Sequence, residues 1–89
     1  MNEINDYHKT IHELKCRTEY YIDVRRGVKT FELRLDDRNY AVGDLLILRE
    51  WGPDAGYTGY VTCAVVTCLV RNEEWLQPGY VALGIRVLR

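Results

Sequence analysis

Long apolar runs are missing from this sequence. Its main uncharged stretch, Ala55 to Val70, is interrupted by Gly and Thr and falls short of the roughly 20 apolar residues a membrane helix requires. Met1 to Asp6 lacks the basic start and apolar core of a signal peptide, so the expectation is a soluble cytoplasmic protein with no membrane partner. An excess of one charge is missing too: 12 basic residues stand against 13 acidic ones, for a net charge of −1. That excludes a generally basic nucleic-acid coat, because counterion release scales with the Lys and Arg available to phosphates. Cysteine is sparse, and three thiols without a secretory signal read as reduced. Cys63 and Cys68 lie five residues apart in one expected strand, on opposite faces and about 16 Å from each other. A disulfide needs Cα atoms within about 7 Å. With only His8 and His12 to add imidazole, neither a metal site nor a cofactor is expected.

Eighty-nine residues leave room for one core. The hydrophobic fraction of 47% and charged fraction of 28% argue against disorder. A domain this short buries roughly 60–65% of its unfolded surface, which suits one small sheet or barrel. The charge is unevenly placed: Lys15 to Arg49 holds eight basic against six acidic side chains, the remainder four against seven. Nine of the twelve basic residues are Arg, the residue suited to bidentate recognition of phosphate, carboxylate or base edges.

Residues 1–9 read as a flexible polar segment and 10–89 as a single domain. Thr10 to Cys16 is the first expected strand, with Ile11 and Leu14 as its apolar positions. Thr18 is placed to cap a helix from Glu19 to Arg26, with Glu19 in its first turn, Arg25 and Arg26 in its last, and Gly27 at the left-handed C-terminal position. Tyr20, Tyr21 and Val24 give this helix one apolar face. From Lys29 the period changes to strict alternation: Phe31, Leu33 and Leu35 share one face, Thr30, Glu32 and Arg34 the other, as in a half-buried strand. Asp36 to Asn39 and Val42 to Asp44 are turns. Leu45 to Arg49 is strand, Trp51 to Gly59 a glycine-rich loop, and Tyr60 to Val70 a strand apolar on both parities, hence central or covered on both faces. After a connection ending at Pro78-Gly79, Tyr80 to Leu88 is the last strand, with Val81, Leu83, Ile85 and Val87 on one face. The sum is a mainly β, α+β domain: a small barrel of about five to six strands, closed by the final strand, with one early helix packed against it.

Gly27-Val28-Lys29-Thr30-Phe31-Glu32-Leu33-Arg34 fits a Gly-x-Lys-x-x-Glu-x-Arg pattern. With His12-Glu13-Leu14-Lys15, Asp36-Asp37-Arg38, Val42-Gly43-Asp44, Leu48-Arg49-Glu50-Trp51, Gly56-Tyr57-Thr58-Gly59 and Pro78-Gly79-Tyr80-Val81, the chain resembles the ASCH domains (activating signal cointegrator homology) of the PUA-like superfamily. The likeness is to a short bacterial and phage branch and runs from about Ile11 to Val87. It implies a PUA-like barrel with a cleft lined by the Lys29-to-Arg34 segment, and RNA or nucleotide binding. A bacterial relative of similar size is an amidohydrolase that deacylates N4-acetylcytidine with a Lys, a Thr nucleophile and a distant Glu. The Lys falls on Lys29, but the Thr falls on Glu32; Thr30 is close but one position out of phase with Phe31, and the distant Glu has Glu73 and Glu74 as candidates.

Each candidate has two readings. Lys29 is a strand-end cation snorkelling to water, or a desolvated cation in the site. Glu32 and Arg34 are a surface ion pair worth under about 1 kcal/mol, or a cleft in which Arg34 grips a phosphate or base edge and Glu32 accepts from an exocyclic amine. The resemblance favours the site in both cases. Lys15 adds charge to that cleft and Arg38 is a secondary candidate. Trp51 and Tyr57 are stacking platforms worth about 1–3 kcal/mol per base, or covers for the barrel end and a turn. His12 reads as structural or surface, and Asp37-Arg38 and Gly43-Asp44 as turn-fixing. The function expected is an RNA- or nucleotide-binding module, single-stranded nucleic acid included. The alternatives are a small amidohydrolase acting on an N4-acylated cytidine-type nucleoside through Lys29, Glu32 and Thr30, and an accessory protein-interaction domain.

Overall fold

Alternating burial organises the chain from Ile11 to Val87 in the computed structural model, which describes residues 9–89. Apart from Lys9, the expected N-terminal segment lies outside the described residues. The elements are β1 (Ile11–Arg17), α1 (Thr18–Arg25), β2 (Phe31–Leu35), β3 (Leu45–Gly52), β4 (Gly56–Arg71) and β5 (Tyr80–Val87). They form one five-stranded sheet in the order β1-β3-β4-β5-β2, with β1 parallel to β3 and every other neighbour antiparallel. In a flat sheet β1 and β2 would stand about 19 Å apart. Here the guanidinium of Arg34 on β2 donates to the Lys15 carbonyl on β1 at 3.1 Å, so the sheet is curled into a half-barrel.

The final strand in sequence is expected to close the barrel, and it does not. β5 lies inside the sheet between β4 and β2, and the open seam falls between β1 and β2. The reason is in the strands themselves. β5 presents Val81, Leu83 and Ile85 as an unbroken buried row suited to an interior position, whereas β2 is five residues long and carries charge, as edge strands do. Leu46, Leu48, Ala64, Val66, Val81 and Leu83 fill the concave side. α1 closes it from above with Tyr21 and Val24, and Thr62 donates to the Tyr21 hydroxyl at 3.0 Å. Eight residues are too few for a helix to persist alone, so this packing holds it.

Thr18 does not cap the helix. It is the first helical residue, Arg17 takes the cap position with no side-chain bond, and the Thr18 hydroxyl donates to the Trp51 carbonyl at 3.2 Å. β1 runs directly into α1, and the Arg17–Trp51 register leaves no turn in which a capping residue could sit. The other end matches expectation: Gly27 has φ +79°, Val28 N–H donates to Asp23 and Gly27 N–H to Val24, a Schellman closure.

Four further expectations are corrected. In β1 the buried face is His12, Leu14 and Cys16, and Ile11 is exposed. The imidazole is admitted because Asp44 meets it at 2.8 Å, while the same carboxylate accepts the Ala41 N–H at 3.0 Å and so fixes the turn before β3. In β2 the alternation is right but the faces are reversed: Phe31, Leu33 and Leu35 are 51%, 58% and 55% exposed, and Glu32 is buried. Trp51 to Gly59 is no loop but the tip of the β3–β4 hairpin, with Trp51 opposite Tyr57 and Gly52 opposite Gly56. β4 is central, as its apolarity on both parities led one to expect, with Val61 and Cys63 exposed on its outer face. A bulge between Val66 and Cys68 shifts its parity, so Cys63 and Cys68 share the outer face rather than opposing each other.

Candidate functional site: a cationic cleft at the barrel seam

The reversal of β2 builds the site. With Glu32 turned inward, its carboxylate sits between two cations drawn from the same short segment. Lys29 Nζ donates to Glu32 Oε2 at 3.1 Å and to the Phe31 carbonyl at 2.7 Å, and Arg34 Nη1 donates to Glu32 Oε1 at 3.2 Å. The Glu32 side chain is 7% exposed, that of Lys29 17% and that of Arg34 24%. Burying a carboxylate is costly unless it is paired and hydrogen-bonded, and here both oxygens are answered. The three side chains together carry one net positive charge, partly shielded from water.

They face a cleft of about 440 Å³ between β2, the end of β1 and the start of α1. Lys15 and Arg17 add two more cations to its lining, and Tyr20, Phe31 and Leu33 give it apolar walls. Lys29 Nζ lies 4.6 Å from the Phe31 ring centroid and 5.4 Å from that of Tyr20, a cation held against aromatic faces. Cys16 forms part of the lining. Burial, with Glu32 adding to it, pushes its thiol up to about 11 against the opposing pull of Lys29 and Arg34. At neutral pH it is a protonated, weakly nucleophilic group.

Of the residues singled out in the sequence, Lys15, Lys29, Glu32 and Arg34 come together in this cleft. Trp51 stands just outside the lining, its ring centroid 4.1 Å from Lys15 Nζ and 5.9 Å from the Arg17 guanidinium carbon. Tyr57 lies on the hairpin beyond it, with the Arg49 guanidinium 4.0 Å from its ring. Arg38 is further along the seam, where it donates to the Glu13 carbonyl at 3.1 Å. Thr30 is exposed and absent from the cleft lining, and its carbonyl accepts the Ile85 N–H. Glu73 and Glu74 line a separate depression over 72–79 that shares no residue with the cleft. His12 belongs to the core pair with Asp44.

Cys16, Tyr20 and Arg17 escaped sequence reasoning. The period-two series 12, 14, 16 marks Cys16 as inward once a buried histidine is accepted. Tyr20 is at the open end of the helix face to which it was assigned: Tyr21 and Val24 are buried and Tyr20 is exposed toward the cleft.

A curled five-stranded sheet with one short helix and a cationic, aromatic-walled recess at its seam defines a small β-rich module with a ligand-sized cleft. The chain belongs to the family described as Domain of unknown function (DUF3850), whose model matches residues 11–85. It is also 41% identical over 67 residues to a protein of Escherichia phage P2 described as "Uncharacterized 12.9 kDa protein in GpA 3'region". That alignment takes in 75% of this chain and 61% of the phage protein, so the chain spans less than two thirds of the relative's length. No helix among the described residues is long and apolar enough to cross a membrane.

Proposed function

We propose that this chain is an RNA- or nucleotide-binding module of the ASCH, PUA-like kind, acting in the cytoplasm through the seam cleft. The observation that carries this reading is the Lys29–Glu32–Arg34 cluster: a buried carboxylate between two cations, beside an aromatic wall. Arg34 uses one nitrogen for Glu32 and Lys15 and keeps further N–H donors for a phosphate or base edge. Tyr20 and Phe31 offer stacking surface, and Glu32 retains lone pairs to accept from an exocyclic amine.

Binding is favoured over hydrolysis by the inventory of the cleft. Deacylation of a nucleoside amide requires a nucleophile next to a base. The lining offers the Tyr20 phenol and a thiol with pKa near 11, while Thr30 and Glu73 or Glu74 lie elsewhere. On this reading, incubation of the purified protein with N4-acetylcytidine leaves the nucleoside intact.

Fluorescence anisotropy with short single-stranded RNA, matched DNA and duplex at two salt concentrations tests the proposal. Two to four phosphate contacts give a log–log salt slope of roughly −1.4 to −2.8 on single strands. The combined Lys29→Ala, Arg34→Ala variant loses this binding. Undiminished binding by the variant, or no binding by the wild type, overturns the reading.

A further inference from the structure

Arg34 stands between two recesses. On one side is the cleft beneath Lys29. On the other is a second hollow of about 270 Å³, walled by Leu14, Leu35, Asp37, Arg38, Tyr40 and Tyr80; the two share Leu33 and Arg34. Both lie along the open seam, where β1 and β2 face each other without a strand between them. The seam is crossed by two guanidinium groups: Arg34 donates to the Lys15 carbonyl and Arg38 to the Glu13 carbonyl, each at 3.1 Å. These carbonyls are two residues apart on one strand, about 6.6 Å, so the guanidinium groups line up along the seam at that spacing. Each keeps N–H donors free, and Arg38 has no carboxylate partner among the described residues. The second hollow is smaller than pockets that enclose a whole small ligand, which suits it to extend the first rather than act alone.

We propose that the seam is a two-base site. A dinucleotide unit lies across it, with its phosphodiester on Arg34 and Arg38, one base in the cleft against Tyr20, and the next base in the hollow against Tyr80. The arrangement fits a ligand whose one negative group separates two bases: two cations stand at the midpoint, the cleft has an apolar, aromatic wall, and the hollow is more polar, with Tyr80 and Leu35 beside the Asp37 carboxylate, an acceptor for a base amine. This rests on the nucleotide reading of the cleft and specifies its ligand. A phosphodiester between two bases occurs in a free dinucleotide and at every step inside a single strand.

Titration by calorimetry with a mononucleoside 5′-monophosphate, the corresponding dinucleotide and a tetranucleotide of the same base separates these cases. The wild type is expected to bind the dinucleotide at least about tenfold more tightly than the mononucleotide. Arg38→Ala is expected to bring the dinucleotide down to about the wild-type mononucleotide level, while an unchanged urea-unfolding midpoint reports that this variant is folded. Arg38→Lys is expected to recover part of the difference, because it restores the charge without the fork. A tetranucleotide bound as tightly as the dinucleotide identifies an internal step of a strand as the ligand, and a weaker one identifies the free dinucleotide. Equal affinity for one and two nucleotides in the wild type, or dinucleotide binding undiminished by Arg38→Ala, overturns the two-base site and leaves the cleft reading standing. Absence of binding by all three ligands overturns both.

Discussion

Replacing Glu32 by Gln keeps the side-chain shape and removes only the charge, so it isolates what the central carboxylate does. In the native cluster one oxygen faces Lys29 and the other faces Arg34, both at hydrogen-bond distance. An amide has one acceptor and one donor end, so it satisfies one cation and turns an N–H toward the other. One charge-assisted bond is lost and a donor is set against a donor. A hydrogen bond to a charged group contributes about 1.5–3 kcal/mol, but both cations keep some water and recover part of the loss. The expected destabilisation is about 1–3 kcal/mol. With an unfolding entropy of about 2.1 cal/mol/K per residue over this length, the melting temperature falls by about 5–16 °C. Urea unfolding followed by Trp fluorescence measures the same quantity, with an unchanged m value showing that the native state is intact. In a double-mutant cycle with Lys29→Met, the pair should show a coupling of about 1 kcal/mol or more. A Glu32→Gln variant within about 0.5 kcal/mol of wild type would refute the reasoning, because the carboxylate would then not be holding the two cations.

Four other outcomes follow from the structure. Asp44→Ala strands the buried His12 ring and the Ala41 N–H and is expected to cost about 2–4 kcal/mol in urea unfolding, whereas Asp44→Asn, which keeps an acceptor for each, costs under about 1.5 kcal/mol. Two of the three thiols, Cys63 and Cys68, are expected to react promptly with a disulfide reagent at pH 8. Cys16, with a pKa of about 11 and thus about 0.1% thiolate at that pH, is expected to react only on unfolding. Because the folded Cys16 holds its proton more tightly than the unfolded thiol, whose ordinary value is 9.0, stability falls as pH rises from about 9 toward 11; Cys16→Ala removes that part of the alkaline loss. Gly84→Ala sets a Cβ against the Cys68 sulfur and is expected to destabilise by about 1–3 kcal/mol, with recovery when Cys68→Ala is combined with it.

Much of the fold is legible in the sequence because its signals are local. The Gly27 helix stop, the alternation of Val81, Leu83 and Ile85, and the turn at Val42 to Asp44 each depend on a few neighbouring residues, and each is present. What eludes sequence reasoning depends on partners far along the chain. Nothing near residue 12 announces Asp44, which makes a buried histidine tolerable. Alternation in β2 is plain, but which face turns inward is decided by the pairing of Lys29 and Arg34 with one carboxylate. Apolarity alone points the other way, to Phe31, Leu33 and Leu35. The same reversal explains why the candidate residues of the motif converge although the face assigned to them was wrong. Thr30 and the pair Glu73 and Glu74 were carried only by likeness to a hydrolase, and no local signal ties them to the cleft, where they are not found. The bulge after Val66, which moves Cys68 to the outer face, has no marker in the sequence around it.

The position of β2 in the sheet has a consequence for the order in which the molecule is assembled. Its strand partner is β5, with Phe31 opposite Gly84 and Leu35 opposite Tyr80, so β2 pairs with residues 45 to 53 positions further along the chain. The β3–β4 hairpin, by contrast, joins neighbours through a turn of three residues. Closing long loops is entropically slow and topologies rich in distant pairings fold in milliseconds to seconds rather than microseconds. On this topology Lys29, Glu32 and Arg34 can be brought to the seam only after β5 has docked against β4 and offered its free edge. The cleft is then a late product of folding, absent from any partly formed sheet, and a nascent chain still missing β5 would have a nearly complete β3–β4 hairpin but no cleft.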